Sequence, residues 1–332
     1  MERNDMDGLQ EENFSTSRPT SRKARGDRSI VSAPFGHISV LLHEAIDGLD
    51  LKSGDILLDG TLGSGGHTEG VVKRHGDSIK IIALDADEDA LARSKKRLAE
   101  YKKSDITFVQ ENFRNLDKVL DTLKIEHVTK VLLDIGLSSN QFEESGRGFS
   151  FQKDEPLAMT FKKNPSEEDV TARVIVNEWS EETLNLILKG YGEEQFAYKI
   201  AKAIVATREE YPIETTGELV AIIDAVVPGW YKHRKMHFAT KTFQALRIAA
   251  NDELKALEEG IKKAFDKLEK NGRLAVISFH SLEDRIVKQF FKQKQTEGTA
   301  ILLTKKPIIP SDEELEVNRR ARSAKLRILV KQ

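Results

Sequence analysis

The chain contains no cysteine among its 332 residues. This absence excludes disulfide bonds, thiolate catalysis and cysteine-ligated zinc, and it is typical of a protein from a reducing compartment. No apolar run reaches the roughly 18–20 residues that a membrane-spanning helix needs. The N-terminus also lacks the apolar core of a secretory signal. We therefore expect a cytoplasmic protein with no membrane partner.

The chain also lacks an excess of either charge. Its formal net charge is −2, although 32% of its residues are charged. Any binding to nucleic acid must then come from local basic patches. The eight histidines show no spacing that is typical of a zinc site. The sequence therefore predicts no metal site.

The chain divides into three regions by composition and periodicity. Residues 1–33 are polar and contain a single aromatic residue, Phe14, so we expect a disordered tail. Strand and helix patterns alternate over 34–145 and return over 271–332, which predicts an α/β fold with a doubly wound parallel sheet. The region 146–270 is mostly helical, and we interpret it as an insertion that recognises the substrate. Its last helix is predicted to run from Thr240 to Lys270.

A glycine-rich turn follows the first predicted strand. The stretch LLDGTLGSGGHTEG, Leu57 to Gly70, holds five glycines. Glycines at the carboxyl end of a strand allow a sharp turn and let a ligand lie on backbone N–H groups at a helix N-terminus. A tight turn without a ligand is the alternative.

The next predicted strand ends at Asp85, twenty residues after Gly65. A carboxylate there can accept both ribose hydroxyls of an adenosine, in NAD enzymes and in S-adenosylmethionine enzymes alike. The third glycine of a dinucleotide fingerprint is replaced by Thr68, which disfavours an NAD-dependent oxidoreductase. Acidic residues such as Asp59 suit a cationic sulfonium, and the predicted closing strand pair is typical of the methyltransferase version of the fold.

Eight motifs then occur in a specific order: HISVLLHEA, DGTLGSGGHT, LLDIGLSS, RGFSF, YGEE, TFQALRI, GRLAVISFHSLEDRIVK and RARSAKLRIL. Over about residues 37–330 the chain resembles the bacterial small-subunit ribosomal RNA cytosine-N4 methyltransferase family. The resemblance implies a Rossmann-like, S-adenosylmethionine-dependent methyltransferase fold with a helical insertion domain. It implies as partner the 16S rRNA of the assembled small subunit, methylated at a cytidine of the decoding region. The cofactor-binding residues that it implies are Gly65, Gly66, His67, Asp85, Phe113, Asp134 and Gln141.

The chain departs from the family pattern in several places, and the departure in one segment bears on the target base. Where the family has Leu-Asp-Met-Arg-Met, this chain has Leu157-Ala158-Met159-Thr160-Phe161, so an acid and a base are missing near the expected position of the target base. Two alternatives therefore stay open. One is an enzyme of the same fold with a shifted RNA target, and the other is a non-catalytic ribosome-assembly factor.

The exocyclic amine of cytosine is a poor nucleophile, because its lone pair is delocalised into the ring. Hydrogen-bond acceptors for its two N–H groups favour the transition state. Asp134, Ser138 and Ser139 follow the fourth strand, and we predict that this loop receives the amine. A helix N-cap is the alternative for the two serines. His37 and His280 are further candidates on the substrate side.

Two basic segments are candidates for RNA binding. The first combines aromatic and basic side chains, which stack on unpaired bases and bind phosphates. Its members are Trp230, Tyr231, Lys232, Arg234, Lys235 and Lys241. A solvated loop with a buried tryptophan is the alternative. The second segment precedes the last strand and contains Arg319, Arg320, Arg322 and Lys325.

Overall fold

A computed structural model describes residues 38–136 and 145–332 of the chain. Seven strands form one sheet in the order β3-β2-β1-β4-β5-β7-β6. The strands are β1 Ile56–Asp59, β2 Lys80–Asp85, β3 Asp105–Gln110, β4 Val128–Asp134, β5 Leu268–Ser278, β6 Ala300–Leu302 and β7 Lys325–Lys331. The pairs among β1 to β5 are parallel, whereas β7 is antiparallel to both of its neighbours. The predicted α/β fold is confirmed, including the closing antiparallel pair.

Helices connect and cover these strands. In the described residues they are α1 Leu42–Leu49, α2 Gly66–His75, α3 Glu88–Leu98, α4 Leu116–Thr122, α5 Ala172–Glu178, α6 Glu181–Gly190, α7 Ala197–Arg208, α8 Thr216–Val226, α9 Gly229–Lys232, α10 Thr240–Asn251, α11 Glu253–Lys267, α12 Ser281–Thr296 and α13 Asp312–Val317. Short 3₁₀ helices cover Phe113–Asn115 and Arg319–Ser323. In this described part of the chain, no helix is long and apolar enough to cross a bilayer.

The central strands are apolar on both faces, as expected for a parallel sheet that helices cover on each side. Successive residues of β1 and β4 contribute to opposite core clusters. Leu57 and Leu132 belong to one cluster, whereas Leu58, Val131 and Leu133 belong to the other. Because the strand order reverses between β1 and β4, their carboxyl ends flank the crevice in which such folds bind ligands.

The helices α5 to α8 and α10 build a third core of their own, which includes Ile200 and Ile204 at the centre of α7. The start of α8 is fixed by a capping box between Thr215 and Glu218, as the Thr-x-x-Glu spacing predicts. The mostly helical character of the insertion is therefore confirmed. Its role in substrate recognition stays a prediction.

The single helix predicted from Thr240 to Lys270 is wrong, because the structure has two helices there. Asp252 separates α10 from α11 with a left-handed φ of 49°, which Asp tolerates better than most residues. Leu246 of α10 packs in the insertion core, whereas Leu257 and Ile261 of α11 pack against the sheet. These contacts favour a return to the sheet layer at Asp252, before the predicted boundary at residue 271.

Candidate active site

A cavity of about 150 Å³ lies at the carboxyl ends of β1, β2 and β4. The crevice between β1 and β4 is therefore the place where this fold forms its site, as expected. Phe161 and Asn251 of the inserted region and Phe279 after β5 also line this cavity. The site is thus built from segments that are far apart in the sequence.

The glycine turn is tied to the sheet by Asp59, the buried last residue of β1. The Thr68 hydroxyl donates to Asp59 Oδ2 at 2.6 Å, and the Thr61 N–H donates to Oδ1 at 3.2 Å. Burial raises the pKa of Asp59, and the hydrogen bond from Thr68 opposes that rise. Thr68, which stands in place of a third glycine, therefore anchors the first turn of α2 to β1.

The glycines of this turn are required by close contacts and by backbone conformation. Gly63 and Gly65 have φ values of 54° and 75°, which favour glycine. A Cβ on Gly66 would lie 1.9 Å from Ser39 Oγ. Gly66 and His67 line the cavity, whereas Gly65 shapes the turn from behind, as the N-cap residue of α2.

Asp85 is placed by the end of β2 at the edge of the same cavity. Its Oδ2 accepts the Gly63 N–H at 2.7 Å and its Oδ1 accepts the Asp87 N–H at 2.8 Å. Burial raises the pKa of Asp85 to about 6. Each carboxylate oxygen keeps a further lone pair, so Asp85 can also accept hydroxyl groups from a ligand.

Phe113 lines the cavity from the 3₁₀ helix that follows β3. Its ring is packed so closely against Gly260 of α11 that a Cβ there would lie 2.4 Å from Phe113 Cδ2. This contact holds an aromatic face beside the ligand space. Such a face is suited to stacking on a planar base.

Asp134 ends β4 and lines the cavity, and its N–H donates to Thr61 Oγ1 at 2.6 Å. Among the residues that the structure describes, its buried Oδ1 has no hydrogen-bond partner, which is an expensive state for a polar atom unless a ligand satisfies it. Burial raises the pKa of Asp134 to about 7, and the charge of Glu283 adds to the rise. Asp134 therefore offers an unused acceptor to whatever the cavity binds.

His67 lies beside Asp134, with 3.6 Å between its Nδ1 and Asp134 Oδ2. Its Nε2 is 3.0 Å from the Val40 carbonyl. Since a carbonyl only accepts, Nε2 carries the proton. Burial lowers the pKa of His67, so the neutral ring joins α2 to the segment that precedes α1.

Four of the predicted site residues, His37, Ser138, Ser139 and Gln141, lie outside the described residues, so the substrate-side role of His37 stays a prediction. The assignments of the other three to the amine-accepting loop and to the cofactor stay predictions. The other predicted cofactor residues are brought together as expected, with Gly65 supporting the turn from outside the cavity.

Sequence reasoning missed the residues that the helix break places at the cavity. Asn251 Oδ1 accepts the Phe161 N–H at 2.9 Å, and Asn251 Nδ2 donates to the Met159 carbonyl at 2.7 Å. Glu253 lines the cavity and binds Arg247 through two hydrogen bonds of 2.8 and 2.9 Å. The Asn-Asp pair at 251–252 was the available signal, since both residue types tolerate the left-handed conformation.

The segment that departs from the family pattern is held mainly through its backbone. Arg147 donates to the Phe161 carbonyl at 2.7 Å and, on its other side, to buried Asp87 at 2.6 Å. Thr160 is buried, and neither Ala158 nor Thr160 lines the cavity. The side-chain changes therefore leave in place the anchor of this segment to Asp87, two residues after Asp85.

The predicted RNA patch at residues 230–241 is only partly exposed. Trp230 is 60% exposed, whereas Tyr231 is 4% exposed and its hydroxyl donates to Glu194 at 2.7 Å. Tyr231 is therefore a core residue and does not belong to an RNA-stacking surface. Arg234 lies over the Trp230 ring, 5.8 Å from its centroid.

The lysines of this patch differ in their pairing. Lys232 Nζ is 2.8 Å from Asp224, and Lys241 Nζ donates to the Glu193 carbonyl at 2.6 Å. Lys235 is exposed and has no ion pair within the described residues. The remaining basic surface consists of Arg234 and Lys235 beside Trp230, and we call it the Trp230 surface.

The sheet order, the glycine turn after β1 and the acids at the ends of β2 and β4 define a methyltransferase that uses S-adenosylmethionine. The residues fit this cofactor, because an orphaned carboxylate oxygen and a close-packed glycine cradle face the same space. The described residues contain no group of three His, Asp or Glu side chains that could hold a metal ion.

The model of the MraW methylase family matches residues 34–332, so the chain belongs to that family. It is 45% identical over 309 residues to ribosomal RNA small subunit methyltransferase H from Clostridium botulinum strains Kyoto / Type A2 and 657 / Type Ba4. Each match covers 89% of this chain and 98% of the relative. A crystal structure of an rRNA methylase from Streptococcus thermophilus aligns over 89% of this chain and 98% of its own. That alignment has 13% identity and a TM-score of 0.43.

Proposed function

We propose that the protein transfers a methyl group from S-adenosylmethionine to the N4 amine of a cytidine in the decoding region of 16S rRNA. The observation that best supports this proposal is the buried Oδ1 of Asp134 at the ligand cavity, which has no hydrogen-bond partner among the described residues. The relatives from Clostridium botulinum, which are named for methylation of small-subunit rRNA, support the substrate class. This substrate also supports a cytoplasmic location.

Four of the cavity residues are proposed to hold the cofactor. The carboxylate of Asp85 accepts the ribose hydroxyls, and Phe113 covers the adenine. Gly66 and His67 form the wall of the turn around the amino-acid end. The sulfonium centre supplies an electrophilic methyl group with a good leaving group, so the protein's task is to position and activate the amine.

Asp134 is proposed to act on the amine. Its free Oδ1 accepts a hydrogen bond from the N4 amino group, which helps the nitrogen lone pair to leave the conjugated ring. As the N4–CH₃ bond forms and the S–CH₃ bond breaks, the amine must lose one proton. A carboxyl whose pKa is raised to about 7 is matched to take that proton near neutral pH.

The test is transfer of tritiated methyl from S-adenosylmethionine to small subunits that lack the modification, followed by nucleoside analysis of the digested rRNA. The expected product is N4-methylcytidine in 16S rRNA, and premodified subunits give no incorporation. Methylation of another nucleoside would indicate a shifted target. Binding to the subunit without incorporation would indicate an assembly factor, and either result would contradict the proposal.

The Asp134→Asn variant tests the proposed role of the carboxylate. We expect the turnover rate to fall by about 10²–10³-fold, as for the loss of one preorganised group at a reacting centre. Near-normal turnover would contradict the role.

A stability measurement on the same variant separates chemistry from folding. Between about pH 4 and pH 7, the Asp134 carboxyl is protonated in the native protein but ionised in the unfolded chain. Because the native state holds the extra proton, the free energy of unfolding falls as the pH rises through this window. The asparagine does not titrate. The difference in free energy of unfolding, Asp134→Asn minus wild type, should therefore be larger at pH 8 than at pH 5, as measured by denaturant unfolding. A low turnover with this stability profile assigns the loss to the reaction.

A second candidate, the same fold acting on a different RNA site, is favoured by the changed residues Ala158 and Thr160. Against it, Arg147 and Asn251 hold the backbone of this segment at Phe161, which lines the ligand cavity. The nucleoside analysis above distinguishes the two.

A further inference from the structure

A second cavity, of about 340 Å³, lies between the start of α12 and the segment that leads into β7. Phe279 lines both this cavity and the ligand cavity at the end of β4. The two cavities are therefore neighbours that share this residue. We call the new one the Arg322 cavity.

Part of the lining of the Arg322 cavity is basic. Among the described residues, His280, Arg322 and Lys325 contribute to it and no carboxylate does. Lys325 is already paired with Asp284, which also binds Arg327. Arg322 is exposed and has no ion pair with any of residues 38–136 or 145–332, so its guanidinium is the cation that an anionic ligand meets.

Other residues of the lining are apolar. They include Phe279, Pro310 and Ile309, whose side chain is 65% exposed. A cavity lined by a cation and by aromatic and aliphatic residues matches the chemistry of an unpaired nucleotide, whose phosphate pairs with a guanidinium and whose base stacks on apolar faces.

The 3₁₀ helix Arg319–Ser323 connects the two spaces, since Arg320 lines the first cavity and Arg322 lines the second. We propose that the Arg322 cavity binds the nucleotide adjacent to the target base in the RNA strand, with its phosphate at Arg322 and its base against Phe279. This inference rests on the proposed function, because it requires the target base in the first cavity.

The test compares Arg322→Ala with Lys288→Ala in the full-length protein. Lys288 is an exposed cation of α12 that lines neither cavity, so it controls for the loss of one positive charge. We expect Arg322→Ala to raise KM for small subunits about tenfold and to lower the salt slope of RNA binding by about one. The affinity for S-adenosylmethionine, measured by calorimetry, should not change.

Arg322→Lys keeps the charge but loses the planar fork, and it should keep the salt slope while KM rises by a smaller factor. Equal behaviour of Arg322→Ala and Lys288→Ala would overturn the inference. Failure of the proposed function looks different, because the wild-type protein would then form no N4-methylcytidine. In that case the salt slope of RNA binding alone decides whether the Arg322 cavity holds a nucleotide.

Discussion

At the scale of single residues, Asp85 links cofactor binding to pH. Its carboxylate accepts two backbone N–H groups, yet burial raises its pKa to about 6. Ribose hydroxyls donate to the ionised form, so protonation should weaken binding. We expect the affinity for S-adenosylmethionine to be nearly constant above about pH 7 and to fall roughly fivefold between pH 6 and pH 5, as measured by calorimetry.

The control for this prediction is Asp85→Asn, because Asp134 also titrates near the ligand. The asparagine variant should bind S-adenosylmethionine more weakly than wild type at pH 7.5. Its affinity should then change little as the pH falls below 6. An undiminished pH dependence in the variant would assign the effect to another group and contradict the role of Asp85.

At the scale of elements, the break between α10 and α11 depends on Asp252 in a left-handed conformation. A β-branched residue is strained there, whereas glycine is not. We expect Asp252→Val to lower the free energy of unfolding by about 1–3 kcal/mol. The free energy of unfolding of Asp252→Gly should stay within about 1 kcal/mol of the wild-type value. Glycine adopts the left-handed conformation without strain, but the variant loses an exposed ion pair with Arg114.

Denaturant unfolding of both variants checks this prediction. The glycine variant is the matched control, since it removes the same carboxylate without adding strain. If both variants lose the same stability, the ion pair and not the backbone conformation maintains the break.

The strands could be predicted from the sequence, whereas the helix break has only a weak local signal in the Asn-Asp pair at 251–252. Short apolar runs such as Val128–Asp134 end at polar residues, so each strand and the acid at its end are visible locally. The break at Asp252 lies among good helix formers, and its cause is tertiary, because α10 and α11 pack on different cores. For the same reason, Asn251 and Glu253 were missed at the cavity. The burial of Tyr231 likewise depends on Glu194, a partner 37 residues away.

At the scale of the whole molecule, recognition of an anionic substrate must be local, because the net charge is −2. Two candidate surfaces satisfy this condition. The Arg322 cavity adjoins the ligand cavity through Phe279, whereas the Trp230 surface lies on the insertion and lines neither cavity. The Arg322 cavity would then bind the RNA strand next to the target base. The Trp230 surface would add affinity for RNA at a distance from the reacting groups.

The double variant Arg234→Ala/Lys235→Ala tests this division of roles. If both side chains contact phosphates, the variant should bind small subunits more weakly and lower the salt slope by about 1.4–1.8. The rate at saturating subunit should stay near wild type, because the reacting groups are untouched. Lys102→Ala/Lys103→Ala is the control, since it removes two exposed positive charges after α3. Equal slopes in the two double variants would show that the Trp230 surface does not contact RNA, and a fall in the saturated rate would show that it acts on the reaction.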